Sequence, residues 1–227
     1  MLSIRKIAVT SLCTVFSFCL FAGESPTRDS ITRKGYTLIV ISKDPQFDPA
    51  VKSKLEETFF TVYPRLAKRF NKKTAPKVTF IIDPEYGGVA ATYGGKVVYS
   101  TKWYQQHPDD IDVVTHEVMH IVQNYGNTSG PGWITEGIAD YVRYKYGVAN
   151  EASNWSLPEV SARHNYTDAY RVTARFFVWL ENHKNKKIVD KLDKVMRNNT
   201  YRDSFWKEST GKTIDELWAE YAANPKL

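Results

Sequence analysis

The chain has 227 residues, 42% of them hydrophobic, and a formal net charge of +6. That length supports one sizeable core without covalent staples, and both cysteines, Cys13 and Cys19, lie close to the N-terminus. The basic residues are scattered (Lys52, Lys54, Lys68, Arg69, Lys72, Lys73, Lys186, Lys187), with no aromatic interleaving along a groove, so a nucleic-acid partner has no support.

Arg5 and Lys6 precede a largely apolar run over 7–21, and small residues follow at Ala22, Gly23 and Ser25. This is the outline of a secretory signal peptide at 1–23, cut within 22–25. It is too short for a persuasive membrane span, so no stable membrane insertion is expected once it is removed. Lipid attachment at Cys19 is the competing idea, and Phe16-Ser17-Phe18 fits it poorly. Without Arg5 and Lys6 the chain keeps 29 basic and 25 acidic residues, a charge of +4. The mature chain would be secreted or periplasmic and would contain no cysteine. A metal site in it must use histidine and carboxylate.

Residues 24–35 are polar and read as a loose lead-in. Tyr36-Thr37-Leu38-Ile39-Val40-Ile41 is a β-branched run and reads as a strand. Asp48-Pro49 looks like a helix cap with proline at the first helical position. Val51, Leu55, Phe59, Val62, Leu66 and Phe70 then follow at helical spacing, with a kink expected at Pro64. A second strand covers 77–82. Strands at 89–93 and 96–100 meet at Gly94-Gly95, a hairpin signal. Helices are expected over 110–125 and 133–146, with Gly147 as a C-cap, and from Thr167-Asp168 towards His183. Three more near 187–197, 203–209 and 213–223 complete the chain, the last with a Thr213–Glu216 capping box. Strands first and helices second argue for one α+β domain over 24–227, with a small, mainly antiparallel sheet.

The helix at 110–125 carries His116-Glu117-Val118-Met119-His120, which spells H-E-x-x-H. On a helix, positions i and i+4 lie one above the other, so one Zn²⁺ can bridge both imidazoles. Glu117 sits beside them, placed to handle the proton of an activated water. This is zinc-peptidase chemistry. A catalytic zinc needs a third protein ligand. Fifteen residues separate His120 from Glu136, enough for a turn and a reversal onto the next helix. Glu136 can complete a His-His-Glu set, and Asp140, one turn on, can accept the free N–H of a ligating imidazole such as His116. The metzincin alternative needs histidine six residues after His120 and glycine three after it, and Gly126 and Gln123 stand there instead. His164, His107 and His183 remain outside candidates.

Three blocks resemble signatures of the basic secretory protein family of plant and bacterial zinc peptidases. They run from His116 to Gln123, from Pro131 to Arg143 (including Glu136-Gly137-Ile138-Ala139-Asp140-Tyr141), and from Tyr170 to Phe176. The resemblance spans 36–221. It implies an exported protein with a zincin-like, gluzincin-type fold. The plant branch's association with defence is not carried over, because the signal peptide here looks bacterial.

On this reading one Zn²⁺ per chain, held by His116, His120 and Glu136, acts with Glu117 as general base to hydrolyse a peptide or protein substrate. An oxyanion donor is required as well. Tyr170 opens a helix and matches a family tyrosine, with Tyr144, Tyr166 and His164 as competitors. An exposed strand edge could hold an extended substrate, and Lys96, Val97, Val98, Tyr99 and Ser100 are its expected residues. Tyr86-Gly87-Gly88 and Tyr93-Gly94-Gly95 could form rims, and Trp133 and Trp155 could line pockets. The rival readings are a non-catalytic zinc protein on a peptidase scaffold and a wall- or glycan-binding protein. The sequence is silent on oligomeric state.

Overall fold

A computed structural model describes residues 25–126 and 129–227. The expected signal peptide at 1–23 lies outside the described residues. Among those residues, no helix is long and apolar enough to cross a membrane.

The polar stretch after residue 24 is not a loose lead-in. Thr27–Arg33 forms strand β1, paired antiparallel with β2 (Tyr36–Ser42) in the register Arg33↔Tyr36. Lys34 and Gly35, with φ of 50° and 83°, make the two-residue turn, whose geometry needs positive φ at both positions. Its polar sequence is that of a sheet edge largely exposed to water, and charges there discourage edge-to-edge pairing.

Helix α1 (Pro49–Arg69) follows, with the Asp48 side chain accepting from Ala50 N–H at 2.7 Å. It continues past Pro64, and Leu55, Phe59, Val62 and Leu66 form its buried stripe. Strand β3 (Lys77–Asp83) then lies parallel to β2, alternating buried Val78, Phe80 and Ile82 with more exposed neighbours. Parallel neighbours need a long crossover connection, and α1 supplies it. Strands β4 (Ala90–Tyr93) and β5 (Lys96–Ser100) form the expected hairpin, with Gly94 and Gly95 at φ 54° and 73°. The sheet order is β1-β2-β3-β5-β4. The α+β class holds, but the sheet is mixed rather than mainly antiparallel. Its two hairpins are antiparallel and its two central pairings are parallel.

The helical half begins with α2 (Thr101–Gln106), a short helix with no counterpart in the sequence reading. Helix α3 (Val113–Gln123) buries Val114, Val118, Met119 and Val122, and ends at Asn124 in a left-handed conformation. Helices α4 (Gly132–Tyr146), α5 (Tyr170–His183), α6 (Ile188–Arg197), α7 (Ser204–Thr210) and α8 (Ile214–Ala223) follow. The Thr213–Glu216 capping box is present. Gly147 caps α4 without a left-handed φ. A Cβ there would lie 2.5 Å from the Arg143 carbonyl, so close approach explains the glycine. One hydrophobic cluster runs from β2 through α1 and α3 to α5 and α8.

Three contacts bear on the rigidity of the helices around α3. Arg197 pairs with buried Asp193 and donates to the Phe70, Val122 and Gln123 carbonyls, which ties the end of α3 to α6. Asn71 Nδ2 also donates to the Val122 carbonyl at 2.9 Å. Gly137 lets α4 lie against α5, where a Cβ would sit 2.3 Å from Thr173 Cγ2 and 3.0 Å from Phe177 Cε2. Thr173 and Phe177 are fully buried and have no room to move. Gly137→Ala should therefore destabilise the fold by about 1–3 kcal/mol through overpacking, outweighing the roughly 1 kcal/mol helix gain. Denaturant unfolding measures this, and an unchanged or raised midpoint would mean looser α4–α5 packing than the structure has.

Candidate active site

Helix periodicity brings His116 and His120 to one face of α3, and the reversal into α4 places Glu136 against them. The two Nε2 atoms are 3.1 Å apart, and Glu136 Oε2 lies 3.2 Å from His116 Nε2 and 3.6 Å from His120 Nε2. These three side chains form a group able to hold a metal ion. Both Nδ1 atoms point away from it. His116 Nδ1 meets Asp140 Oδ1 at 2.6 Å, the contact expected from E-x-x-x-D. His120 Nδ1 meets Gln123 Oε1 at 2.7 Å, and Gln123 Nε2 donates to the Thr135 carbonyl at 2.9 Å. That second donation fixes which end of the amide faces His120. Both rings then hold a proton on Nδ1, so Nε2 is the nitrogen that faces a ligand once it is deprotonated. Gln123 was missed in this role, although its i+3 spacing from His120 could have revealed it.

The electrostatics match the geometry. Burial alone pushes the His116 imidazolium down, but Asp140, Glu136 and Glu117 together hold it up to about 10. Burial would raise the Glu136 carboxyl, and hydrogen bonds from His116 and His120 overcome this and hold it well below the usual carboxylate range.

Glu117 is only 7% exposed. The Thr92 hydroxyl lies 2.6 Å from its Oε2 and 3.0 Å from its backbone carbonyl. Thr92 sits on β4, in a hairpin distant in sequence, and no local spacing pointed to it.

Strand β5 does not supply an open edge. It is paired on one side with β3 and on the other with β4, and Val97, Val98, Tyr99 and Ser100 are buried. The free edge belongs to β4. In a two-residue hairpin the pair flanking the turn is hydrogen-bonded, so Tyr93 and Ala91 face β5 while the main chain of Thr92 and Ala90 faces outward. Tyr86 Oη donates to the Ala90 carbonyl at 3.2 Å.

A cleft of about 1860 Å³ runs over this group, lined among others by Thr92, Tyr93, Trp155, Tyr170 and Arg171. Tyr170 is 55% exposed, and its ring stacks on His116 at a centroid distance of 6.1 Å. The carboxylate of Glu136, then partial burial, raises its hydroxyl pKa. The expected helix start at Thr167-Asp168 is instead a single 3₁₀ turn, Tyr166–Asp168, and α5 begins only at Tyr170. Between them Ala169 has φ 62°, ψ −169°, and Tyr170 has φ 46°. Such backbone costs about 1–3 kcal/mol per residue and persists where the surroundings impose it. Here a capping box at Asn165–Asp168 and the Thr173 hydroxyl on the Tyr166 carbonyl (2.6 Å) hold the turn.

The competitors of Tyr170 lie elsewhere. Tyr166 Oη donates to Asp215 at 2.8 Å, and His164 Nδ1 accepts from Ser161 N–H at 3.2 Å. Neither they nor Tyr144 lines the cleft. Of the expected rims, Tyr93-Gly94-Gly95 lines it and Tyr86-Gly87-Gly88 does not. Trp155 lines it, but Trp133 packs on Tyr166, Phe177 and Trp206 instead. His107 is on the cleft wall against Trp103, and His183 contacts the Lys226 carbonyl.

The fold is shared with part of solved zinc metallopeptidases. The chain is similar to an M1 zinc metallopeptidase from Deinococcus radiodurans (TM-score 0.51, 10% identity, 89% of this chain and 52% of that one). It is likewise similar to an aminopeptidase N family protein from Idiomarina loihiensis (TM-score 0.53, 11% identity, 87% and 46%). The chain thus spans about half the length of each, and at such identity the likeness establishes the fold alone. No curated protein sequence matches it. Residues 39–221 match the BSP family, described as a peptidase of plants and bacteria, and the chain belongs to that family.

Proposed function

We propose that the protein is an exported zinc-dependent peptidase, with His116, His120 and Glu136 as zinc ligands, Glu117 as general base and Tyr170 as oxyanion donor. The observation that carries this is the convergence of two Nε2 atoms and one carboxylate oxygen beside a buried carboxylate that is not part of the set. The donor set fits zinc, because it holds two imidazoles with their other nitrogens engaged and one carboxylate. Three protein ligands leave a coordination position for water or substrate. Zinc bound there supplies Lewis acidity, which makes a water more acidic and polarises a carbonyl.

The remaining chemistry falls to the chain. Glu117 Oε1 or Oε2 takes the water's proton and passes it to the leaving amine, while the Thr92 hydroxyl aims the carboxylate. The Tyr170 hydroxyl, on the exposed side of His116, donates to the oxyanion. The outward main chain of Thr92, on β4 rather than β5, pairs with an extended peptide. Export rests on the signal-peptide outline at 1–23, and residues 24–227 act as one peptidase domain.

Metal analysis of the purified protein, with cleavage profiling on a peptide library, tests the reading. About one zinc per chain is expected, with cleavage lost on chelation and restored by zinc. Zinc below about half an equivalent with no gain on addition would remove the catalytic model.

A further inference from the structure

The carboxylates of the cleft wall are already engaged. Asp110 pairs with Arg143 and accepts from Trp103 Nε1 at 3.0 Å, and Asp109 pairs with Lys54 at 3.1 Å. Asp140 is taken by His116, Glu136 belongs to the metal group, and Glu117 accepts from the Thr92 hydroxyl. Among the described residues that line the cleft, no unengaged carboxylate is left to hold the α-ammonium of a peptide.

The cations are not balanced in the same way. Arg143 is neutralised by Asp110, but Lys73 and Arg171 line the cleft with no salt-bridge partner among the described residues. Arg171 is exposed, and its one side-chain hydrogen bond among the described residues, Nη1 to the Ser156 carbonyl, is long at 3.4 Å. Most of its five donors are therefore free. It directly follows Tyr170, whose ring stacks on His116, so its backbone is held beside the metal group by the same constrained turn. Lys73 lies instead on the connection between α1 and β3, where its neighbours Thr74 and Ala75 also line the cleft. A guanidinium fork suits a carboxylate better than a lysine ammonium does.

We infer that Arg171 binds a carboxylate of the peptide substrate next to the scissile bond, so that the cleft selects acidic segments. The peptide nature of the ligand rests on the peptidase reading above. The carboxylate is an Asp or Glu side chain or a terminal carboxylate, and the test separates the two.

Fluorescein-labelled decapeptides of Ala and Ser serve as probes: one with a central Glu and an amidated C-terminus, its central Gln counterpart, and the Gln peptide with a free C-terminus. Binding is read by fluorescence anisotropy on the full zinc-loaded chain carrying Glu117→Gln, which prevents turnover during the measurement. The Glu peptide, or the free-acid peptide, is expected to bind about five- to tenfold tighter than the amidated Gln peptide. Which of the two does so identifies the carboxylate. Arg171→Gln should bring the ratio to about 1, and Arg171→Glu should invert it in favour of the amidated Gln peptide. The inversion shows that the variant is folded. Equal binding of all three peptides, or a preference that survives both substitutions, overturns the inference. Cleavage by the native chain is followed in parallel. Failure to cut any peptide would overturn the peptidase reading while the binding ratios still decide the role of Arg171.

Discussion

Glu117→Gln is expected to leave zinc in place and to lower kcat by about 10²–10⁴-fold. The amide has the shape of the carboxylate but cannot accept the water's proton. Glu117 lies outside the His116–His120–Glu136 group, so metal content should not follow activity. The Thr92 hydroxyl can still donate to the amide oxygen, so the side chain keeps its place. Thr92→Val, nearly the same shape, leaves the base but removes its aim. One hydrogen bond of about 1 kcal/mol corresponds to a roughly fivefold loss, which Thr92→Ser should recover. Zinc content by elemental analysis, read beside kcat, checks the pair. Unchanged turnover in Glu117→Gln would sink the assignment of the base.

Zinc should stabilise the chain more strongly as pH rises. In the metal-free chain the His116 pKa is raised from 6.5 to about 10. A raised pKa contributes stability that is fully present below 6.5 and is lost as pH climbs through about 10. A ligating imidazole must be neutral, so zinc uptake near pH 7 expels the proton from His116. The metal-free chain therefore weakens over the interval in which zinc affinity grows. The zinc-induced rise in Tm is expected to be larger near about pH 9 than near about pH 6. Asp140→Asn removes the first favourable partner of the imidazolium, should flatten this dependence and should cost about 10–100-fold in zinc affinity. A Tm shift that is the same across the range would count against His116 as a ligand.

The parts of the molecule legible in the sequence are those set by local spacing. H-E-x-x-H places two imidazoles one turn apart on α3, and E-x-x-x-D does the same for Glu136 and Asp140 on α4. Asp48-Pro49, Gly94-Gly95 and Thr213–Glu216 mark their cap, turn and capping box because each satisfies backbone within a few residues. The lead-in at 24–35 misled because an edge strand in water needs no apolar pattern, and only pairing with β2 makes it a strand. The break at Ala169 was hidden because neither residue type favours positive φ, and its surroundings impose it.

The sequence by itself determined which residues approach one another along a helix, and so named His116, Glu117 and His120 and pointed to Glu136 and Asp140. Only the tertiary structure decided which strand bounds the cleft, that Thr92 meets Glu117, and that Arg171 has no counter-charge among the described residues. Helical contacts repeat every 3.6 residues and can be counted. Sheet order and the pairing of charges depend on segments far apart in the chain. Parallel β3–β5 pairing buried the strand expected at the edge and turned its partner, β4, towards the metal group.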